Sequence, residues 1–293
     1  MAALRSSGTW GSALTADEFA AIRGVGFEPA GQVFGAAVYN AGASAYGCPA
    51  LSGSSGSPGD GSPPRSATEV SGGGGAGSFG PLVQAMGQAR HTAVDRMITE
   101  CAQLGGHGVV GVHVSRGEFL GGAQFTLIGT AVRAPGAVPG QSAPFTSDLS
   151  GQDFAKLIAA GWVPVGLALG ISIGSRHDDR STSRQARWIS GNAEVVGWTE
   201  LVNQVRHDAR RQLERDVSRL GAEGVVIAAM PMRVRQRDCP AAVGRRDHIV
   251  EASLIGTAVA GFPRAEPRAG HDGPPLAVMS LDPHRRQAAR IRL

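Results

Sequence analysis

Histidines and an acidic residue in the first half of the chain could bind a metal ion. His107 and His113 share a face of a predicted strand, but about 20 Å would separate them, too far for one ion within the chain. His91 and Asp95 are one helical turn apart and could both reach a cation. A surface ion pair is the favoured alternative, since only two donors are present. These four residues are the metal candidates, and a transition-metal ion is the cofactor they would bind.

Cysteines add little to this donor set. Cys48, Cys101 and Cys239 are spaced too irregularly for a disulfide framework or a CxxC metal knuckle. Cys101 lies on the apolar stripe of a predicted helix, so we expect it in the core. Cys239 lies in a predicted loop, between Asp238 and Pro240, and is a weaker metal candidate than the histidines.

Motifs for catalysis or phosphate binding are absent from the sequence. No Gly-x-Ser-x-Gly elbow appears where a strand would meet a helix. The glycine-rich stretch 72–75 does not belong to a GxxxxGK[ST] loop. The sequence therefore predicts a protein that is not an enzyme, with no catalytic and no cofactor-binding residues.

Composition is typical of a globular protein with room for two domains. The chain has 293 residues, of which 42% are hydrophobic, and a formal charge of +4. Lys156 is the only lysine, an arginine bias that is typical of a GC-rich genome, although arginine also suits phosphate contacts. We find no secretory signal and no apolar run that could span a bilayer, so we expect a cytoplasmic protein without a membrane span.

Two arginine-rich tracts could contact nucleic acid or anionic lipid. The helical tract 206–215 also carries Asp208 and Glu214, which indicates a solvated face. The basic tail at 285–292 is the better candidate. Nucleic acid is not favoured as a partner, because attraction between charges is unspecific; a protein partner remains open.

The chain repeats itself. Glu100–Val114, in which a helix ends at a glycine pair and enters a strand, recurs as residues 216–230. Both copies precede the hexapeptide Leu-Ile-Gly-Thr-Ala-Val, at 127–132 and 254–259. The segment around Phe19 similarly recurs around Phe154. The difference in residue number between matching positions, or offset, is 135 for the segment around Phe19, 116 for Glu100–Val114 and 127 for the hexapeptide. A difference that is constant within each block and changes between blocks is expected for duplication followed by changes in loop length.

Each copy is predicted to contain a strand, a long helix and two further strands. This is an α+β fold in which a three-stranded antiparallel sheet packs on one long helix. A short helix with Thr15 as N-cap precedes the first copy. The predicted strands are 27–40, 107–115, 123–132, 162–173, 224–234 and 248–259, and the long helices are 81–104 and 199–220.

Domain boundaries follow from these blocks. The first repeat covers 14–133 and contains a Gly/Ser/Pro-rich insertion, 41–80, which we expect to be disordered. A proline-rich linker, 134–148, leads to the second repeat at 149–262. Residues 263–293 form a flexible basic tail.

The ordered set of motifs resembles the YbjQ-like family, whose members carry the label heavy-metal-binding. The matching residues are the strands 31–38 and 166–173, Ala102-Gln103-Leu104-Gly105 with the strand that follows, and the Gly-Thr-Ala-Val ending, with their second copies. The resemblance implies a dodecin-like β-α-β-β fold in which five domains close into a ring through their sheets. It supplies no ligand set. Chains with two domains cannot share a ring of five evenly, so we expect a pentamer with two stacked rings, or a different closure.

Two functions are consistent with these features. One is a non-enzymatic, ring-forming oligomer that binds a heavy metal or small ligand at its subunit boundaries. The alternative is a scaffolding protein that presents the insertion and the basic tail to a protein partner.

Overall fold

The computed structural model describes residues 11–40, 68–71, 79–119, 122–136, 143–187, 191–239 and 246–262, which form helices and strands of a mixed α+β protein. The first half contains α1 (Ala16–Gly24), β1 (Glu28–Tyr39), β2 (Thr68–Val70), α2 (Gly80–Gln103), β3 (Gly108–Phe119) and β4 (Gly122–Arg133). The second contains β5 (Phe145–Thr146), α3 (Gly151–Ala159), β6 (Trp162–His177), α4 (Arg180–Gln185), α5 (Val196–Arg219), β7 (Gly224–Ala229), β8 (Met232–Asp238) and β9 (Arg246–Gly261). The predicted α+β class is confirmed.

Strand order is the same at the centre of both sheets. In the first sheet β4 lies between β1 and β3 and is antiparallel to both. In the second, β9 lies between β6 and β7 in the same way, and β8 continues along β9. Short strands extend the edges: β5 runs parallel to β3, and β2 runs antiparallel to β6.

Register shifts also occur at corresponding positions of the two sheets. The four shifts fall at Pro29/Gly31, Pro164/Gly166, Val110/His113 and Ile227/Ala229. The first two are related by the offset of 135. The last two overlap at the offset of 116, which relates His113 to Ala229. Because a bulge bends its strand and increases the local twist, both sheets are irregular at the same points.

Helix α2 lies between the two sheets. Its buried residues pack on one side against β1, β3 and β4, and on the other against Leu167, Ile171 and Ile173 of β6. Helix α5 covers the opposite face of the second sheet, where Leu201 and Val205 lie against Gly174 of the same strand. Strand β6 of the second sheet is therefore covered on both faces, whereas the outer face of β1 is open.

Each long helix crosses its first strand at a glycine. A Cβ on Gly35 would lie 2.0 Å from the carbonyl oxygen of Ala93, and a Cβ on Gly170 would lie 2.2 Å from that of Ala209. Only a glycine allows this approach. Helix carboxylates accept hydrogen bonds from the preceding strand residues in both halves: Phe34 N donates to Glu100 (2.6 Å), and Leu169 N donates to Asp216 (2.9 Å).

The short helix α1 begins as predicted. Thr15 is its N-cap, and its hydroxyl and the Glu18 carboxylate form a reciprocal capping box. The backbone hydrogen bond from Thr15 is the main cause of the lowered pKa of Glu18. Gly151 N also donates to Glu18 (3.2 Å), so this carboxylate joins α1 to the start of α3.

The second half differs from its predicted strands. The strand expected at 224–234 is two strands, β7 and β8, that separate at Met230-Pro231, where proline lacks a backbone N–H for the ladder. The strand expected at 162–173 continues to His177, because its polar end pairs with β9 as far as Asp247.

Some predicted segments fall largely outside the described residues. Of the insertion 41–80, the structure describes 68–71 and 79–80; there Thr68–Val70 form β2, and Phe79 is buried, so these residues are ordered. In the linker 134–148, Phe145 and Thr146 form β5. The tail 263–293 lies outside. No helix in the described ranges is long and apolar enough to cross a membrane.

Replacing Gly170 by alanine should destabilise the protein by about 1–3 kcal/mol or more, because the new methyl would overlap the Ala209 carbonyl. The measurement is the midpoint of urea unfolding. Gly87→Ala is the matched control: Gly87 lies within α2, with nothing within 4 Å of an added Cβ. It should be neutral or stabilise by up to about 1 kcal/mol. Equal midpoints for the two variants would contradict the close crossing.

Candidate functional site

Residues 145–149 extend the first sheet at the edge strand β3. The segment starts as β5, parallel to β3. Beyond β5, Gly111 N donates to the Leu149 carbonyl (3.0 Å) and Val112 N donates to the Ser147 carbonyl (2.9 Å). These bonds satisfy N–H groups that an edge strand otherwise exposes.

The same segment is bound to the second sheet through Thr257. This buried hydroxyl accepts from Asp148 N (3.1 Å) and lies 2.5 Å from the Asp148 carboxylate. It also lies 3.0 Å from the hydroxyl of Ser147. Residues 145–149 therefore join the two sheets, and we refer to this contact as the junction.

Aromatic rings fill the junction beneath α1 and α3. Phe154 packs edge-on to Phe27, with 5.2 Å between ring centroids, and stacks on Phe145 at 5.7 Å. Val110 on β3 and Leu149 belong to the same buried cluster. The junction is thus an apolar contact bordered by backbone hydrogen bonds.

Counterparts of the junction residues are more exposed, although Leu14 still packs against the junction cluster. By the sequence offsets, Leu14 and Phe19 correspond to Leu149 and Phe154, yet they are only half-buried. Val226 corresponds to Val110 and is 39% exposed, whereas Val110 is fully buried. Trp162, the counterpart of Phe27, is 37% exposed.

The outer face of β1 shows the same difference. Phe34 is 47% exposed and Val38 is 54% exposed, while their counterparts Leu169 and Ile173 are buried. Two apolar surfaces result. The front face comprises Leu14, Phe19, Phe34 and Val38, and the rear face comprises Trp162, Val226, Ile227, Met230, Met232 and Val234.

Among the described residues, none of the four predicted metal candidates belongs to a group of three or more converging donors. His91 Nε2 is 3.8 Å from a carboxylate oxygen of Asp216, and Asp95 is exposed. His107 Nδ1 accepts a backbone hydrogen bond, and His113 is exposed on β3. A metal role for these residues stays a prediction.

Cys101 lies in the core, as predicted. Its thiol is fully buried and donates to the carbonyl of Gly108 (3.3 Å). Burial raises the pKa of this thiol to about 12, although the hydrogen bond lowers it in part. Cys101 therefore supplies no thiolate at neutral pH.

A group of three possible metal ligands lies in the second half. His177, Cys239 and Asp247 are all buried, and one donor atom from each lies within 4.8 Å of the other two. They come from the ends of three neighbouring strands, β6, β8 and β9. The sequence analysis missed this group, although the dipeptides His177-Asp178 and Asp247-His248 are mirror images on strands that pair antiparallel.

The fold and the junction together define a mixed α+β protein with two sheets. Residues 70–135 match the YbjQ family model, described as "Putative heavy-metal-binding". The chain is also 33% identical over 226 residues to the encapsulin nanocompartment protein Rv1762c of Mycobacterium tuberculosis (strain ATCC 25618 / H37Rv), a match that covers 73% of this chain and 75% of the relative. The chain belongs to the family of that mycobacterial protein. No solved structure matches it.

Asp148 should make the fold less stable as the pH rises. Burial raises the pKa of its carboxyl, and the Thr257 hydrogen bond lowers it in part. The folded state therefore binds the proton more tightly than the unfolded state. The stability that the protonated Asp148 carboxyl contributes is fully present below its ordinary pKa. It is lost as the pH rises through the pKa of Asp148 in the folded state. We expect the wild type to lose stability relative to Asp148→Asn above about pH 4, measured by urea unfolding.

Asp153→Asn is the matched control, with the opposite sign. Hydrogen bonds from Lys156 and Ser150 lower the pKa of Asp153. The wild type should therefore lose stability relative to Asp153→Asn as the pH falls below about 4. Finding the same pH trend for both variants would contradict the burial of Asp148.

Proposed function

We propose that this protein self-associates head to tail, with the front face of one chain covering the rear face of the next. The contact between chains would repeat the junction inside the chain. The observation that carries the proposal is the contrast at one pair of positions. Val110 is fully buried with Leu149 and Phe154, while its counterpart Val226 is 39% exposed at the end of the molecule.

The proposal includes an origin by duplication of one β-α-β-β unit. Its support is the shared strand order, the four register shifts at corresponding positions, the glycine crossings at Gly35 and Gly170, and the carboxylate contacts of Glu100 and Asp216. If both halves are copies of one unit, a contact that suits one end of the unit also suits the same end of its copy.

In the proposed contact, Phe19 of one chain packs on Trp162 of the next, as Phe154 packs on Phe27 within the chain. Leu14 packs on Val226, and the edge strand β7 takes up residues 12–14 as β3 takes up 147–149. Residues 12–14 are already ordered, because Ala13 N donates to Thr130. Association therefore costs little ordering entropy.

Head-to-tail contacts between identical chains form a closed ring when repeating the rotation from one chain to the next completes a full turn. Both units of a chain lie side by side and share α2. We therefore propose one ring with an even number of units, in place of two stacked rings of five units. A pentamer is compatible with this proposal, because five chains of two units each would form a single ring of ten units.

The mycobacterial relative is named for the encapsulin nanocompartment. We extend this to the chain by similarity: it works within a protein assembly of that kind, not as an enzyme. Metal or small-ligand binding at subunit boundaries, and presentation of the tail to a partner, stay predictions.

Phe34→Arg and Val226→Arg should each reduce the oligomer to a monomer, because each places a charge in an apolar contact. An equimolar mixture of the two variants should form a dimer and stop there. One intact front face meets one intact rear face, and both outer ends are blocked. Native mass spectrometry of the separate variants and of the mixture measures this.

Val196→Arg is the control, since Val196 is exposed at the start of α5 and belongs to neither face. It should keep the wild-type mass. A monomeric wild type, or a mixture that contains no dimer, would show that the two faces do not meet.

A further inference from the structure

Two histidine–aspartate pairs cross at the end of the second sheet. His177 on β6 is opposite Asp247 on β9, and its Nδ1 is 2.9 Å from an Asp247 carboxylate oxygen. In the neighbouring pair, His248 Nε2 is 2.8 Å from a carboxylate oxygen of Asp178. Successive side chains of a strand point to opposite faces, so the two pairs lie on different faces of the sheet.

Cys239, which follows a third strand, lies near the first pair. Strand β8 pairs with β9 so that Arg237 is opposite Asp247, and Cys239 lies just beyond the end of β8. Arg237 Nε is 3.3 Å from the second carboxylate oxygen of Asp247. The other carboxylate oxygen faces His177.

His177 is not fully satisfied by the described residues. Its side chain has no solvent exposure, and its Nε2 has no hydrogen-bond partner among them. A buried polar nitrogen is normally paired, and an exception in a native fold needs a cause. Because Asp247 lies at Nδ1, an ion shared by His177 and Asp247 would bind at Nδ1, and Nε2 would carry the proton.

We propose that His177, Cys239 and Asp247 bind a transition-metal ion of the zinc class. Thiolate and imidazole donors favour zinc-like ions over magnesium or calcium, which take oxygen donors. Three protein ligands leave one position of a tetrahedral ion for water or another donor. The three donor atoms, within 4.8 Å of one another, need only small movements to reach bond lengths of about 2.0–2.3 Å.

Charge supports a cation at this place. A divalent ion would stabilise the Cys239 thiolate and the Asp247 carboxylate together, while Arg237 offsets part of their charge. Binding would release the thiol proton to solvent.

The site is distinct from the features already described. It lies outside residues 70–135, which match the metal-labelled family model. At the offsets of the repeat, the first half has Gly42 and Leu120 in place of His177 and Asp247, so the site belongs to the second half alone. It lies at the opposite end of β6 from Trp162, and it does not depend on self-association.

The test uses full-length protein stripped of metal with a chelator, reloaded with zinc and desalted. We expect one zinc per chain by elemental analysis, and a thiolate-to-metal charge-transfer band when cobalt replaces zinc. Cys239→Ala and His177→Gln should each lower zinc affinity by at least about a hundredfold, the upper range for losing even an indirect partner of a metal ligand.

Cys101→Ala and His207→Gln are matched controls, one a buried cysteine and the other an exposed histidine. Both should keep one zinc per chain. Wild-type protein without stoichiometric zinc, or Cys239→Ala with unchanged zinc, would overturn the proposal.

A second measurement on the wild type covers the case in which the variants fail to fold. Zinc should raise the melting temperature of the stripped protein, and magnesium should not. Cobalt binding without the thiolate band would overturn the proposal, because Cys239 would then not be a ligand.

Discussion

The distance between each long helix and its sheet is set by one glycine. At Gly35 and Gly170 the helix carbonyl occupies the space of a side chain, so any larger residue would push the helix outward. At this distance the carboxylates of Glu100 and Asp216 reach a strand N–H. Because α2 also packs against β6, a shift of this helix would separate the two sheets. The junction therefore depends on the same close approach.

This packing leaves the two halves unequally covered. Helix α2 contacts two sheets and α5 contacts one, while β3 gains β5 at its edge and no such strand lies along β7 in the described residues. Edge strands are normally shortened, charged or covered, since an apolar edge invites pairing with another chain. Strand β7 instead exposes Val226 and Ile227. This exposed apolar edge is the feature on which the proposed self-association depends.

Much of the fold could be predicted from the sequence, because each long element carries its own periodicity. Both long helices, their glycine terminators and the Thr15 cap follow from local spacing. The break at Pro231 and the order of Thr68–Val70 could not be predicted by the same means. The apolar pattern of the sequence continues through Pro231 and so gives no sign of the break. Thr68–Val70 is a short segment whose pairing with β6 depends on tertiary contacts. The coverage of β6 on both faces likewise depends on how the halves pack.

The candidate metal site was beyond sequence reasoning because spacing arguments find donors on one helix or strand, as with His91 and Asp95. His177, Cys239 and Asp247 come from three strands and meet only through pairing. Strands β6 and β9 have 16 residues each, whereas β1 and β4 have 12. The longer strands carry polar residues past the apolar core that the two halves share. Burying these groups is unfavourable unless they are paired or bound. The longer strands of the second half end in buried donor groups, which a bound ion would pair.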